Sequence, residues 1–210
     1  MKVQYLVQIE NPHQNLVRVT LRFKRHQNQT RLSFFLPSWS PGSYLMREYS
    51  RHIRWIKVEQ DNGEALYFEQ LAKGEWEIDW NQSLLKHESD GVSITYEIYC
   101  KELTVRTSHV DSTHAFLHGP SYLMGIKGEV LKDPTIEFRF PPLWSKLTTG
   151  LKEISTKREE FVFTAKNYDE LIDAPVEIGC QETDGFEYRG KPHHLAYYGL
   201  TYPHAQNLKA

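Results

Sequence analysis

LPSWSPGSYLMREYSRHI, residues 36–53, is the stretch whose residue choices most constrain the fold. Pro37 and the Pro41-Gly42 pair restrict the backbone, because proline fixes φ and removes a donor, and proline-glycine is typical of a tight turn. Trp39 and Tyr44 flank that turn, and each can bury a large ring while keeping a polar tip near water. From these residues alone we interpret the stretch as a rigid corner between a strand and a loop, closed by aromatic side chains.

Alternation of apolar and polar residues on both sides of this corner predicts short strands. Residues 3–9 and 17–23 alternate cleanly and predict an antiparallel hairpin. The same pattern and β-branched composition predict the following further strands: residues 31–36, 53–58, 66–68, 75–80, 92–98, 136–140, 161–163 and 194–200. One helical turn is expected over 168–173, before Pro175. Many short strands separated by turn residues predict an all-β fold, an antiparallel β-sandwich or layered sheet.

Composition and charge limit the classes of partner and location. The chain has 210 residues, enough to bury a core, and its 25 basic and 27 acidic residues give a net charge of −2. This balance argues against nucleic acid and against an anionic membrane as partners. Two cysteines do not make a disulfide framework, and the first residues lack the apolar segment of a signal peptide. We therefore expect a cytoplasmic protein.

Four segments carry motifs that can be compared with a known family. The corner combines Leu-Pro, an aromatic residue, Pro-Gly-Ser-Tyr and then basic residues. The other three segments are VRTSHVDSTHAFLHGPSYLM (105–124), PPLWSKLTTGLK (141–152) and YDELIDAPVEIG (168–179). In this order they resemble the N-terminal domain of the glycyl aminopeptidase family of zinc metallopeptidases, peptidase family sixty-one. The resemblance covers nearly the whole chain.

The resemblance implies three parts and a larger parent enzyme. Residues 1–172 would form an N-terminal β domain, 173–182 a connector, and 183–210 the first strands of a truncated catalytic domain. The parent would be a zinc aminopeptidase that favours small N-terminal residues such as glycine. The expected partners are the chain's own catalytic domain in cis and the peptide substrate. Zinc is expected in the missing catalytic domain, and no cofactor is expected in this chain.

The zinc-binding motif of such an enzyme is absent from this sequence. A helical His-Glu-x-x-His supplies two zinc ligands on one face and a glutamate that acts on the metal-bound water. His87-Glu88 begins such a motif, but Gly91 stands at the position of the second histidine. We therefore expect these 210 residues to be inactive on their own.

The best alternative cluster contains His109, His114 and His118, with Asp111 between the first two. On a strand, His114 and His118 share a face, and His109 takes the opposite face unless a bulge intervenes. Metal sites need tight ligand geometry, so hydrogen-bonded histidines near a loop are the favoured interpretation. No metal ligand is predicted in this chain.

The leading hypothesis is a non-catalytic domain that packs on the catalytic domain and helps wall its substrate cleft. An exopeptidase has to block the far side of its first specificity pocket and hold a free α-amine, which a rigid loop from a neighbouring domain can do. The candidate residues are Tyr44 and Arg47 in one loop, and His118 and Tyr122 in another. A purely structural role of both loops at the domain interface stays open.

Two other classes of function stay open from the sequence. A stand-alone β-sandwich binding module for carbohydrate or peptide would need exposed aromatic rings, for which the candidates are Trp39, Trp55, Trp76 and Trp80. Aromatic residues that alternate on strands are more often part of a core. A self-contained hydrolase built on the histidine cluster would instead bind metal in the isolated chain.

Overall fold

The computed structural model describes residues 1–40, 42–83, 89–157 and 159–199. Within these ranges the chain is built mainly of short strands. The strands are β1 (Val3–Gln8), β2 (Leu16–Lys24), β3 (Arg31–Phe35), β4 (Ile53–Gln60), β5 (Phe68–Ala72), β6 (Glu75–Asp79), β7 (Gly91–Tyr99), β8 (His109–Val110), β9 (Ala115–Leu117), β10 (Gly125–Ile126), β11 (Thr135–Arg139), β12 (Lys146–Thr149), β13 (Lys152–Glu153), β14 (Phe161–Thr164), β15 (Val176–Gly179), β16 (Glu182–Tyr188) and β17 (Lys191–Tyr197). Helix α1 is Tyr168–Asp173, and 3₁₀ turns occupy Pro12–Gln14, Tyr49–His52 and Gly119–Ser121.

The described strands form three larger sheets and a separate hairpin. The first sheet has the order β13-β14-β11-β1-β2-β7-β4, the second β10-β3-β6-β5, the third β12-β15-β9-β8, and the hairpin is β16-β17. The pairs are antiparallel except for β1 with β11, which is parallel. The predicted all-β fold with antiparallel sheets is therefore confirmed.

Strands β1 and β2 form the predicted hairpin. Tyr5 pairs with Leu21 and Val7 pairs with Val19, so the apolar residues of both strands lie on one face and are buried. The third predicted strand behaves differently, because β3 joins the second sheet and pairs with β6. A strand was predicted over residues 66–68, but β5 begins only at Phe68 and runs to Ala72. Its residues are mostly exposed. An exposed edge strand carries little apolar signal, so alternation could not locate it.

Side chains from all three larger sheets form one hydrophobic core. Ile94 of the first sheet, Phe34 of the second and Leu117 of the third are fully buried in it. Cys100 is buried and Cys180 is exposed, and both thiols are free. None of the described helices has the length and apolar character needed to cross a membrane.

Helix α1 coincides with the predicted turn at 168–173. The side chain of Asn167 accepts a hydrogen bond from the backbone N–H of Glu170, which caps the helix N-terminus. Strand β15 follows within the predicted connector, and it pairs with β9 and β12 in the third sheet. The division of the chain into a domain, a connector and the start of a second domain stays a prediction.

The hairpin β16-β17 turns at Arg189 and Gly190, both of which have positive φ, as a type I′ turn requires. Strand β17 ends at Tyr197, whereas the predicted strand runs to Leu200, which lies outside the described residues. Most side chains of this hairpin are exposed.

Candidate functional site

The first candidate loop spans residues 40–47, of which Pro41 lies outside the described residues, and hydrogen bonds hold the described part. The backbone N–H of Arg47 donates to Ser38 O at 2.7 Å, and Trp39 Nε1 donates to Ser43 O at 2.7 Å. Gly42 has a φ of +83°, a conformation that favours glycine, so the turn needs this residue. Arg47 Nε donates to Ser43 Oγ at 3.1 Å, which leaves its side chain half-buried. These bonds give the loop a defined shape.

The tip of this loop projects apolar side chains into solvent. Tyr44 is 100% exposed, Leu45 63% and Met46 66%. We call these three residues the apolar tip. The interpretation of the corner as closed by aromatic rings is wrong for Tyr44, and Trp39 is also 47% exposed. The buried ring is instead Tyr49, which follows the loop and is 1% exposed.

The second candidate loop, residues 118–122, contains the 3₁₀ turn Gly119–Ser121. Ser108 Oγ accepts a hydrogen bond from the backbone N–H of His118 at 3.0 Å and lies 2.6 Å from Ser121 Oγ. Ser121 Oγ donates to His118 O at 2.8 Å. Two buried serine hydroxyls therefore hold this turn against the segment before β8.

Tyr122 lies in the core of this domain rather than at its surface. Its side chain is 1% exposed, and its carbonyl oxygen accepts a hydrogen bond from Tyr96 Oη at 2.8 Å. Tyr96 Oη also accepts from the N–H of Met124 at 3.0 Å. The hydroxyls of Tyr5 and Tyr168 donate to the next two carbonyl oxygens of the same segment, at 2.7 and 2.8 Å. Sequence reasoning missed this set of tyrosines, because their partners are far away in the chain.

His118 connects the two candidate loops. Its ring meets Tyr49 edge-on, with ring centroids 6.0 Å apart and planes at 62°. Its Nε2 is buried without a hydrogen-bond partner. Burial lowers the pKa of His118, and the nearby charge of Asp173 opposes this shift. The structure thus brings His118 to the base of the first loop, while Tyr122 points into the core.

The lowered pKa of His118 predicts a pH-dependent contribution to stability. The unfolded chain has the ordinary histidine pKa of about 6.5, so it binds more protons than the folded chain just below that pH. We therefore expect wild type to lose more unfolding free energy than His118→Gln when the pH falls from about 7.5 to about 5.5. Urea denaturation across this range measures the difference. His13→Gln, at an exposed histidine, is the control, and a pH-independent difference for His118→Gln would contradict the expectation.

The structure groups the histidines differently from the prediction. His109, Asp111 and His114 come together, and one potential ligand atom of each lies within 4.8 Å of the others. His118 is not part of this group among the described residues. The strand argument that placed His109 on the opposite face does not apply, because β8 ends at Val110 and β9 begins at Ala115. A turn separates the two histidines and brings them to the same side.

The structure describes only part of the incomplete zinc motif at residues 87–91. His87 and Glu88, which begin the incomplete zinc motif, lie outside the described residues, and Gly91 is the first residue of β7.

Of the four tryptophans that were candidates for a flat binding surface, Trp76 and Trp80 are core residues, exposed by 7% and 1%. A flat surface made of all four tryptophans therefore does not form.

The fold of this chain is found in known proteins. The family model described as Peptidase M61 N-terminal domain matches residues 4–180. A crystal structure of an aminopeptidase N family protein from Idiomarina loihiensis superposes with a TM-score of 0.86 at 28% identity, over 99% of this chain and 34% of that chain. An M1 zinc metallopeptidase from Deinococcus radiodurans superposes with a TM-score of 0.52 at 11% identity, over 100% of this chain and 51% of that chain, and this is a likeness of fold alone.

This chain matches only part of the length of either crystal structure. The present chain spans about a third of the Idiomarina protein and about half of the Deinococcus one. No curated protein matches the sequence.

Proposed function

Because the chain belongs to the family of Peptidase M61 N-terminal domains, we propose that it is the non-catalytic β domain of a zinc-dependent glycyl aminopeptidase and helps wall the substrate cleft. The family membership confirms the resemblance of the four motifs. As a peptidase-associated N-terminal domain, the chain would pack on the catalytic domain in cis. The parent enzyme would act on peptides in the cytoplasm, without nucleic acid or membrane as partner.

The apolar tip is the observation that carries this proposal. Three consecutive large side chains stand in solvent on a loop whose backbone is fixed by hydrogen bonds. Exposed apolar groups on a fixed loop are typical of interaction sites, since water contact with them is unfavourable and ordering them on binding costs little entropy. A neighbouring domain or a substrate in a cleft would remove this surface from water.

The chemistry of the proposed parent lies outside these residues. A zinc ion in the catalytic domain would lower the pKa of its bound water and so supply the nucleophile. The residues of this chain would act by shape and exclusion of water. Tyr44 would close one side of the cleft, and Arg47, which is tied to Ser43, would hold the loop in place. His118 would support the loop through its contact with Tyr49.

Kinetics of the full-length enzyme test the cleft-wall role. We expect Tyr44→Ala to lower kcat/KM for a chromogenic glycyl amide by roughly 10-fold, since a buried interface aromatic contributes about 1–2 kcal/mol. The fold of this domain should be kept, because Tyr44 is 100% exposed in it. Tyr67→Ala is the matched control, at a tyrosine that is 39% exposed and lies outside both candidate loops.

The outcomes separate the cleft role from simple packing. Unchanged kcat/KM in a folded Tyr44→Ala enzyme would remove the cleft-wall role. If limited proteolysis then shows a loosened junction between the domains, the tip serves only as a packing surface. Tyr122 is unsuitable for this test, because its replacement would disturb the core.

A further inference from the structure

We propose that His109, Asp111 and His114 form a binding site for a divalent transition-metal ion such as Zn²⁺. The site lies at the turn between β8 and β9 and does not depend on the proposed function of the chain. The sequence-based expectation of no metal here rested on a strand geometry that the turn replaces. Three features of the cluster support the site: the shape of the turn, the hydrogen bonds that set the histidine tautomers, and the carboxylates nearby.

The turn presents one carboxylate oxygen of Asp111 to the histidines. Backbone N–H of Asp111 donates to His114 O at 3.1 Å and closes the turn. Asp111 Oδ1 is already occupied, because it accepts hydrogen bonds from the N–H and the hydroxyl of Thr113 and from the N–H of His114. Oδ2 is left to face His109 Nε2 at 3.2 Å. The three hydrogen bonds that Oδ1 accepts favour the carboxylate form of Asp111.

His109 presents a lone pair to that oxygen. Its Nδ1 lies 2.7 Å from Lys101 O, and a carbonyl can only accept, so Nδ1 carries the proton. In the neutral ring, Nε2 is then an acceptor that faces the acceptor Asp111 Oδ2. Either a second proton or a cation has to lie between them. A histidine that donates its other N–H to a backbone carbonyl is the usual arrangement of a metal ligand.

The hydrogen bonds of His114 also determine which of its ring nitrogens carries the proton. The Thr113 hydroxyl gives its proton to Asp111, so it accepts from His114 Nδ1 at 3.0 Å. The Nε2 of His114 is thereby left as an acceptor, and it faces Glu177 Oε1 at 3.9 Å, beyond hydrogen-bond distance. Glu177 Oε1 is buried without a hydrogen-bond partner. A cation beside His114 would give this buried oxygen a partner.

The donor set and its dimensions fit zinc better than a hard cation. Two imidazoles and a carboxylate are typical ligands of Zn²⁺ and its neighbours, whereas Mg²⁺ and Ca²⁺ prefer oxygen alone. Tetrahedral zinc with bonds of about 2.0–2.1 Å places its ligand atoms about 3.4 Å apart. The 3.2 Å between His109 Nε2 and Asp111 Oδ2 meets this spacing. One ring nitrogen of His114 lies within 4.8 Å of the other two ligand atoms, and rotation of the His114 side chain would bring its Nε2 to the ion. Glu177 or water would complete the shell.

Metal binding would tie separate parts of the chain together. Glu177 lies on β15, which pairs with β9. The ring of His114 stacks on Tyr198 at 4.2 Å with planes 13° apart. An ion held here would connect the β8-β9 turn to β15, and through His114 to Tyr198. Its role would be to stabilise this junction.

Metal titration of the tag-free chain tests the site. We expect the metal-free protein to bind one equivalent of Zn²⁺, measured by competition with a chromophoric chelator, and to give the intense d–d absorption of tetrahedral coordination with Co²⁺. His109→Gln and Asp111→Asn should each weaken Zn²⁺ binding by about 100-fold or more, since even loss of a supporting residue costs about 10- to 100-fold. Asp111→Asn keeps the Oδ1 acceptor of the turn.

The controls distinguish a site from scattered surface binding. His13→Gln should leave Zn²⁺ affinity unchanged, and circular dichroism should show that all variants are folded. Absence of binding at micromolar Zn²⁺, or binding that neither variant weakens, would overturn the proposal and leave the His109–Asp111 contact as an ordinary ion pair. Because the sequence contains no complete His-Glu-x-x-His, metal bound to this chain cannot be the zinc of the proposed catalytic domain. The result therefore stands apart from the kinetic test of Tyr44.

Discussion

Replacement of Gly119 by alanine is expected to destabilise the chain by about 3 kcal/mol or more. A Cβ at this position would lie 2.1 Å from Ile172 O and 2.5 Å from Ile172 Cα. These are backbone atoms of α1, so no side-chain rotation can relieve the overlap. The 3₁₀ turn and the helix would have to separate, which would also displace His118 from Tyr49.

Chemical denaturation of Gly119→Ala against a matched glycine measures this effect. Gly150→Ala is the control, because no atom lies within 4 Å of the Cβ it would add and its backbone is not in the left-handed region. That variant should stay within about 0.5 kcal/mol of wild type. Equal stability of the two variants would show that α1 moves without cost, and would contradict the close packing of the second loop on the helix.

Removal of the Tyr96 hydroxyl is expected to cost about 2–3 kcal/mol, since each buried group left without a hydrogen bond costs about 1–3 kcal/mol. The hydroxyl donates to Tyr122 O and accepts from the N–H of Met124, and Tyr96 is fully buried. Tyr96→Phe keeps the ring and removes both bonds. Two buried backbone groups would then lack partners in the middle of the core.

A series of tyrosine-to-phenylalanine variants isolates this effect. Tyr99→Phe, in the same strand and 41% exposed, should change the free energy of unfolding by less than about 0.5 kcal/mol. Tyr5→Phe and Tyr168→Phe each remove one bond to the same segment, and they should lie between the two. If Tyr96→Phe matched Tyr99→Phe, the hydroxyl would not be needed to satisfy the backbone of residues 122–124.

Gly119→Ala and Tyr96→Phe both change residues that hold the second candidate loop in place. Gly119 allows the loop to approach α1, and the three tyrosines hold the segment that leaves the loop. If the proposed cleft role is correct, loss of this support in the full-length enzyme would also change the position of His118 and, through Tyr49, the base of the first loop.

Local patterns in the sequence predicted the longer strands of the first sheet, the helix and the family. Alternation at residues 3–9 and 17–23 predicted β1, β2 and their pairing, because neighbouring side chains on a strand point to opposite faces whatever lies beyond. The helical turn at 168–173 was likewise predicted from local residues, and it is capped by Asn167. The four motifs identified the family because they are specific in residue type and order.

Tertiary structure alone decided which surfaces and residues meet. Strand β3 pairs in the second sheet rather than the first, and Tyr122 is buried in the core. Both outcomes depend on partners that are distant in the chain. The hydroxyl of Tyr5 finds its acceptor 119 residues away, a distance at which alternation carries no information. His109 and His114 meet because a turn, and not a continuous strand, joins them. The sequence by itself therefore determined the strands with clear alternation, the helix and the family. Contacts distant in the chain decided the short strands without such a pattern, the exposed tip, the buried tyrosines and the histidine cluster.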